Sequence, residues 1–408
     1  MAALKASKNM TKKKIAFLTL SVAMLLTLLT GALFGQTTQK SNVYKYLSIF
    51  SDVLDLVRTN YVDQVGSEKL MDGAFTGITD AIDEFSYYVP PTQMAAYKKF
   101  VDVEDNGIGL IVTKRFGYAY VVAPIEGSPA EAAGLTSGDF IEKIDGQPTQ
   151  PMTSWQVRAA INQQRPVKLQ VLRGGETHRE EVTIEPKSFR PVTVRNDTIS
   201  GIAYIKIPWF EEGSALQFRA ALDSIREKNA RKLIVDLRGN AGGSIDEAIK
   251  AADELLTSGL ITALEGRKVD AKQWQADRAT SYDGELQVLT DPSTAAGAEL
   301  FAAAIRGNSR GKVVGLTTYG KAIVQRFIPL PSGGGVQMTI GHYTTPDLKA
   351  ITDTGVKPDV IVDLSSQALE EQPEKGKREP KDDLILNKAL QLFGAKPPAA
   401  AVAEKKAA

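Results

Sequence analysis

The chain has 408 residues, a net charge of +1 and no cysteine. That length allows two or three domains, each with its own core, and the near-zero charge provides no global field to draw it to nucleic acid. Disulfides, thiolate nucleophiles and cysteine-ligated metals are excluded. The two histidines, His178 and His342, have no partners at helical metal spacing, so neither a metal site nor a cofactor is expected.

The chain opens on Lys5, Lys8, Lys12, Lys13 and Lys14, followed by an uncharged, mainly apolar run over residues 15–34. At a rise of about 1.5 Å per residue, about twenty such residues cross the hydrocarbon of a bilayer. A basic flank stays in the cytoplasm, so the rest of the chain faces outward. Residues 1–40 therefore read as a membrane anchor or signal segment. The small-residue pair Thr30 and Ala32 makes a weak cleavage site, which favours the uncleaved anchor. Residues 41–97 read as a helical region. Leu47, Phe50, Val53, Leu54 and Val57 recur at spacings of three and four, a stripe suited to packing on the rest of the chain or to a dimer contact. Pro90-Pro91 marks a turn.

Residues 98–188 change texture, with β-rich runs at 109–112, 119–122 and 167–172. From residue 189 to 363 strands and helices alternate. A strand is expected over 201–207. A helix capped by Ser214 follows, with Ala215, Phe218, Leu222 and Ile225 on one face. A continuous apolar run at 233–237 reads as a buried strand, and a helix is expected over 245–256. Further strands are expected near 286–290, 312–316, 324–330 and 335–343. This alternation predicts an α/β sheet covered by helices. Residues 364–408 are charged, then Pro- and Ala-rich, with one short helix over 384–393 and a disordered end.

The string Ser128-Pro129-Ala130-Glu131-Ala132-Ala133-Gly134-Leu135, followed by Gly138-Asp139-Phe140-Ile141 and Ile144-Asp145-Gly146, resembles a PDZ domain. Such a domain captures a peptide's C-terminal carboxylate on backbone N–H groups of a Gly-rich loop and adds the peptide as an extra strand. Here that loop is Asn106-Gly107-Ile108-Gly109-Leu110, where glycine allows the backbone to approach the carboxylate closely.

Three further segments carry the chemistry. They are Asp236-Leu237-Arg238-Gly239-Asn240-Ala241-Gly242-Gly243, Thr294-Ala295-Ala296-Gly297-Ala298-Glu299-Leu300 and Tyr319-Gly320-Lys321-Ala322-Ile323-Val324-Gln325. With Tyr343-Thr344-Thr345-Pro346 and Gly355-Val356-Lys357-Pro358-Asp359, they resemble the carboxy-terminal processing proteases, serine peptidase family S41, over residues 45–362. The resemblance implies an α/β crotonase/ClpP-like protease core with an inserted β-rich PDZ domain and an N-terminal helical segment. It also implies a site in which a serine is the nucleophile and a lysine the general base.

On that resemblance Ala296 occupies the nucleophile position, Lys321 is the base and Gln325 orients its amine without adding charge. A lysine acts as a base only when neutral, which requires burial to bring its pKa from about 10.4 towards 7 or 8. The oxyanion donors are the N–H of Gly242 or Gly243 and that of Gly297, at the positive end of a helix. No phosphate-loop pattern accompanies the glycines. Asp236 and Arg238 read as partners that stabilise their turn, and neither histidine offers a credible base. Ser293 or Thr294 would be a poor substitute nucleophile, because a two-residue shift turns a helical side chain by roughly 200° and a misplacement of 1 Å can cost about a hundredfold. Arg173 is a candidate for contacting the core when the PDZ domain swings. Ala322, in place of the usual glycine, and Gly297 and Ala298, beside the nucleophile position, depart from the family pattern.

The expected function is a serine–lysine endopeptidase that recognises protein C-termini through its PDZ domain and degrades or processes envelope proteins. It would be inactive here because residue 296 is alanine. The alternative is a natural pseudoprotease serving as a peptide-binding scaffold, although a lysine buried without a catalytic task is a liability. A non-proteolytic enzyme of the related crotonase-like fold lacks any acyl-carrier or nucleotide signature. Expected partners are proteins or peptides with exposed apolar C-termini, the membrane through the N-terminal segment, further copies of the chain and an adaptor protein. The expected location is the periplasmic or extracytoplasmic face of a bacterial envelope, anchored in the inner membrane.

Overall fold

The computed structural model describes residues 17, 19–27, 38–101, 107–173, 178–192, 194–277, 282–364 and 383–397. Of the run expected to cross a bilayer, residues 17 and 19–27 are described and are helical. Its remaining residues, the basic flank, Thr30, Ala32, Asn106 and the end of the tail lie outside the described residues. Among the described residues no helix is long and apolar enough to cross a membrane.

The chain divides into two units, residues 1–74 and 75–408. The first contains the helix Thr38–Asn60, on which Leu47, Phe50 and Val53 are exposed, and the start of the helix Ser67–Asp80. In the second unit the segment read as helical up to residue 97 is interrupted. Tyr87–Val89 form strand β1, a turn follows at Pro91–Gln93, and the helix Met94–Val101 follows that. β1 is buried at all three residues and pairs with a strand of the core. Two tyrosines and a valine suit a pleated, buried surface, and this long-range pairing overrides the helical reading.

The β-rich region forms its own sheet: β2 (Leu110–Arg115), β3 (Tyr118–Pro124), β4 (Phe140–Ile144), β5 (Gln147–Pro148), β6 (Val167–Leu172) and β7 (Arg179–Ile184). Its order is β2-β3-β4-β6-β7, with β5 on β4. The helix Ser154–Ile161 buries Val157 and Ile161 in a core with Val121, Ile141 and Leu169.

The last region builds two sheets from β8 (Arg195–Ile199), β9 (Ile202–Lys206), β10 (Lys232–Asp236), β11 (Leu260–Glu265), β12 (Lys272–Gln275), β13 (Glu285–Thr290), β14 (Lys312–Gly315), β15 (Ile323–Pro329), β16 (Gly335–Thr344) and β17 (Val360–Ile361). One sheet runs β17-β14-β13-β10-β9-β8, parallel from β17 to β9 with β8 antiparallel at the edge. The other is antiparallel, β1-β16-β11-β12 with β15 on β16. The parallel sheet is covered on both faces, which is why β10 carries the apolar run Leu233-Ile234-Val235, while β13 buries Gln287 among apolar neighbours. On one face Phe210, Phe218, Leu222 and Phe301 pack with the helices Ser214–Glu227, Ile245–Asp253 and Gly297–Gly307. On the other, Ile385, Leu386, Ala389 and Leu390 of the helix Leu384–Leu392 cover Ile234, Leu289 and Val314. Ser214 begins its helix rather than capping it. Gly213, with φ of 87°, takes the cap position because the chain enters through a left-handed turn.

Candidate active site

The three segments singled out in the sequence leave the C-terminal ends of β10, β13 and β14, which are adjacent parallel strands. Parallel pairing delivers all three turns to one side of the sheet, where open α/β sheets place their ligands.

The first turn is anchored by charge. Asp236 is fully buried, accepts the Tyr204 hydroxyl at 2.6 Å and pairs with Arg238 at 2.6 Å. Arg238 also pairs with Asp383 at 2.6 Å, tying the turn to the C-terminal helix. Burial opposes ionisation of Asp236, but the Arg238 guanidinium outweighs it and holds the carboxyl well below the usual range. Both residues are therefore structural partners. The Gly242 N–H points at Asn240 Oδ1 at 3.4 Å, and the Trp209 ring lies where a Gly242 Cβ would stand, 2.7 Å away. Gly243 has φ of 99°, and a Cβ there would meet the Phe210 carbonyl at 2.1 Å. Among the described residues the N–H of Gly243 meets no protein acceptor, nor does that of Gly297.

In the second turn Asp291 Oδ1 accepts the Ser293 hydroxyl at 2.7 Å, and the single Thr294 hydroxyl proton is shared between Asp291 Oδ1 and the Leu237 carbonyl, each 3.1 Å from Oγ1. Both hydroxyls are thus taken up in shaping the turn. Over residues 293–305 every residue is buried except Ala296. Ala296 has φ of 53° and ψ of −120°. A left-handed φ in a residue with a Cβ costs about 1–3 kcal/mol, and such a strained strand-to-helix turn is how hydrolases present a nucleophile. Gly297 follows at the first turn of the helix, so close to Ala248 that a Cβ would lie 2.8 Å from that methyl.

Glu299 joins the second turn to the third. Its Oε2 accepts the N–H of Ala296 at 3.0 Å and that of Lys321 at 2.7 Å, so the two nitrogens lie within about 6 Å of each other. Its Oε1 accepts the Gly320 N–H at 2.7 Å and the Thr318 hydroxyl, which in turn accepts the Val356 N–H at 2.7 Å. Burial pushes the Glu299 carboxyl up to about 7, against the four hydrogen bonds that favour its charged form. Lys321 is half-buried, its Nζ 5.3 Å from the centre of the Phe85 ring. Gln325 donates through Nε2 to the Phe85 carbonyl at 2.8 Å. The Tyr319 hydroxyl donates to Glu84 Oε1 at 2.6 Å.

Glu299, Glu84 and Phe85 were not among the expected site residues. The Glu299 contact had a sequence signal, a glutamate at the third helical position, which commonly reaches back to the cap N–H. Glu84 and Phe85 had none, because their partners lie 235 and 240 residues away.

In the Gly-rich loop, Ile108 is fully buried and its carbonyl accepts the Ala130 N–H at 2.9 Å. Gly109 has φ of 71°, and a Cβ there would meet Ser128 Cβ at 2.3 Å. Gly107 is equally crowded, 2.9 Å from Asn162 Cα, and Leu110 opens β2. Arg173 is engaged inside its own domain. It pairs with the buried Asp139 at 2.7 Å and with Glu180 at 3.0 Å, because that buried carboxylate needs a counter-charge. The outer face of β3 lies on the site: Tyr120, Val122 and Ala123 form one apolar cluster with Ala241 and Ala295, and Tyr120 stacks on Tyr319. Among the described residues no group of three His, Cys, Asp or Glu could hold a metal ion.

A profile of peptidase family S41 matches residues 201–362, and a PDZ-domain profile matches residues 120–173. The chain is 29% identical over 418 aligned residues to a carboxy-terminal-processing protease of Bartonella bacilliformis, covering 93% of this chain and 96% of the relative. It is 30% identical over 365 residues to the carboxy-terminal processing protease CtpA of Bacillus subtilis, covering 87% and 77%. Among solved structures, a photosystem II D1 C-terminal processing protease superposes with a TM-score of 0.65 over 76% of this chain and 86% of that one; at 22% identity the likeness speaks for the fold. The chain belongs to peptidase family S41, the carboxy-terminal processing proteases, and carries their PDZ domain.

Proposed function

We propose that the site works by a serine–lysine mechanism and that the chain as written binds substrate without cutting it. A serine at 296 would attack the scissile carbonyl while Lys321 takes its proton, and the resulting ammonium would then protonate the leaving amine. The same amine would activate the water that releases the acyl group. Gly243 and Gly297 are the oxyanion donors the geometry favours, since both N–H groups meet no acceptor among the described residues and that of Gly242 is turned to Asn240. Gln325, held by Phe85, would orient the amine. Alanine at 296 keeps the backbone of this arrangement and removes the attacking oxygen. The observation that carries the reading is the single Glu299 oxygen that accepts the N–H of both Ala296 and Lys321.

Substrates would be proteins with free, apolar C-termini, held by residues 107–110 and added alongside β2. The basic flank and apolar run over residues 15–34 support an anchored, extracytoplasmic enzyme acting on envelope proteins. A peptide-binding scaffold has Ala296 itself in its favour. The strain retained at that residue and the Glu299 clamp count against it, since neither serves peptide capture.

The test is Ala296→Ser incubated with an unfolded protein ending in apolar residues. Cleavage that disappears in Ala296→Ser/Lys321→Ala, and weakens when the C-terminus is amidated, supports the reading. Intact substrate that still binds supports the scaffold.

A further inference from the structure

The turn from Asp83 to Ser86 is remote in sequence from the lysine segment, yet it touches that segment three times. Asp83 Oδ1 accepts the N–H groups of Phe85 at 2.8 Å and of Ser86 at 2.6 Å, closing the turn on itself. Glu84 accepts the Tyr319 hydroxyl at 2.6 Å. The buried Phe85 ring lies 5.3 Å from Lys321 Nζ, and its carbonyl accepts Gln325 Nε2 at 2.8 Å. A carbonyl can only accept, so the Gln325 amide has to present its NH2 to Phe85, which frees Oε1 to face another donor.

We propose that this turn is a positioning element for the base: Phe85 fixes the Gln325 amide through its carbonyl and shields the Lys321 amine from water with its ring. The assignment rests on reading Lys321 as the general base. The charged groups about the turn and the lysine segment are Asp83, Glu84, Arg115, Glu299, Asp353 and Lys321. The Phe85 substitutions leave all of them in place, so a change they cause reports on the ring. Removing the ring admits water, which favours the ammonium form. The lost attraction between ring and cation acts in the opposite sense, and the proposal requires shielding to outweigh it.

The experiment uses the full chain with Ala296 in place. Trace acetylation by acetic anhydride across pH, quantified on the Lys321 peptide by mass spectrometry, gives the midpoint at which the amine becomes reactive. Phe85→Ala and Asp83→Ala should raise that midpoint by about one pH unit. Phe85→Leu, which keeps an apolar shield, should leave it unchanged, and Asp83→Asn, which keeps the Oδ1 acceptor, should leave it clearly below the midpoint of Asp83→Ala. Asp83→Asn and Asp83→Ala remove the same charge, so their difference isolates the hydrogen bonds that hold the turn. Unmoved midpoints in Phe85→Ala and Asp83→Ala, or equal shifts in both Asp83 variants, overturn the assignment. If Phe85→Ala does not fold, the Asp83 pair decides. This readout needs no turnover, so it is separate from the cleavage test above. In an active Ala296→Ser background the ascending limb of kcat/KM against pH should move with the midpoint, and a limb that stays put overturns the catalytic half of the proposal.

Discussion

Glu299→Gln probes the clamp that brings Ala296 and Lys321 together. Each carboxylate oxygen accepts two hydrogen bonds. Glutamine keeps the shape and one oxygen, and its NH2 must replace the other. It is best placed on the Oε1 side, where the Thr318 hydroxyl can rotate, but there the Gly320 N–H is left facing a donor. One buried N–H without an acceptor costs about 1–3 kcal/mol. The carboxyl itself adds a dependence on pH. Its pKa is raised from 4.5 to about 7 on folding, so the native state holds the proton more tightly than the unfolded chain. The stability this provides is complete below about pH 4.5 and is lost as the pH rises through about 7. Over that interval the loss amounts to roughly 3 kcal/mol. Glutamine cannot titrate and removes this slope. Urea unfolding followed by tryptophan fluorescence across pH should therefore find the variant less stable by about 1–3 kcal/mol in acid. The gap should close by roughly 3 kcal/mol as neutrality is passed. A gap that stays constant or widens with pH would show that the four hydrogen bonds outweigh burial and that the Glu299 pKa is not raised on folding.

Gly243→Ala forces a Cβ to 2.1 Å from the Phe210 carbonyl at a φ of 99°. It should cost about 3 kcal/mol or more by thermal melting, and an unchanged Tm would contradict the described packing. Arg173→Ala leaves the buried Asp139 carboxylate without its counter-charge and should destabilise the PDZ domain by about 3 kcal/mol in a denaturant titration. A fully stable variant with altered coupling between peptide binding and cleavage would instead give Arg173 a role on the core. Gly109→Ala should weaken binding of a labelled peptide with a free carboxylate by about tenfold or more, and undiminished anisotropy would remove the loop from peptide capture.

The sequence was most legible where local pattern and local structure coincide. The apolar run before Asp236, the glycines after it and the helix that buries Phe301 all announce themselves within a few residues. The motif strings placed Ala296, Lys321 and Gln325 in one family pattern. What escaped was whatever depends on distant pairing. β1 was hidden because Tyr87–Val89 acquire their strand character only against β16. Phe85 was hidden because its carbonyl and ring matter only beside Gln325 and Lys321. Gly242 and Gly243 look alike in the sequence; only the backbone shows the Gly242 N–H turned to Asn240.

On the proposed mechanism an oxygen at position 296 would be the nucleophile and Lys321 its base. The most direct measurement is acyl trapping: Ala296→Ser is mixed with an activated peptide ester, quenched in acid and mapped by mass spectrometry. An acyl adduct is expected on the peptide containing residue 296, absent from the parent chain and from Ala296→Ser/Lys321→Ala. An adduct on Ser293 or Thr294, or one that forms equally well without the lysine, would contradict it.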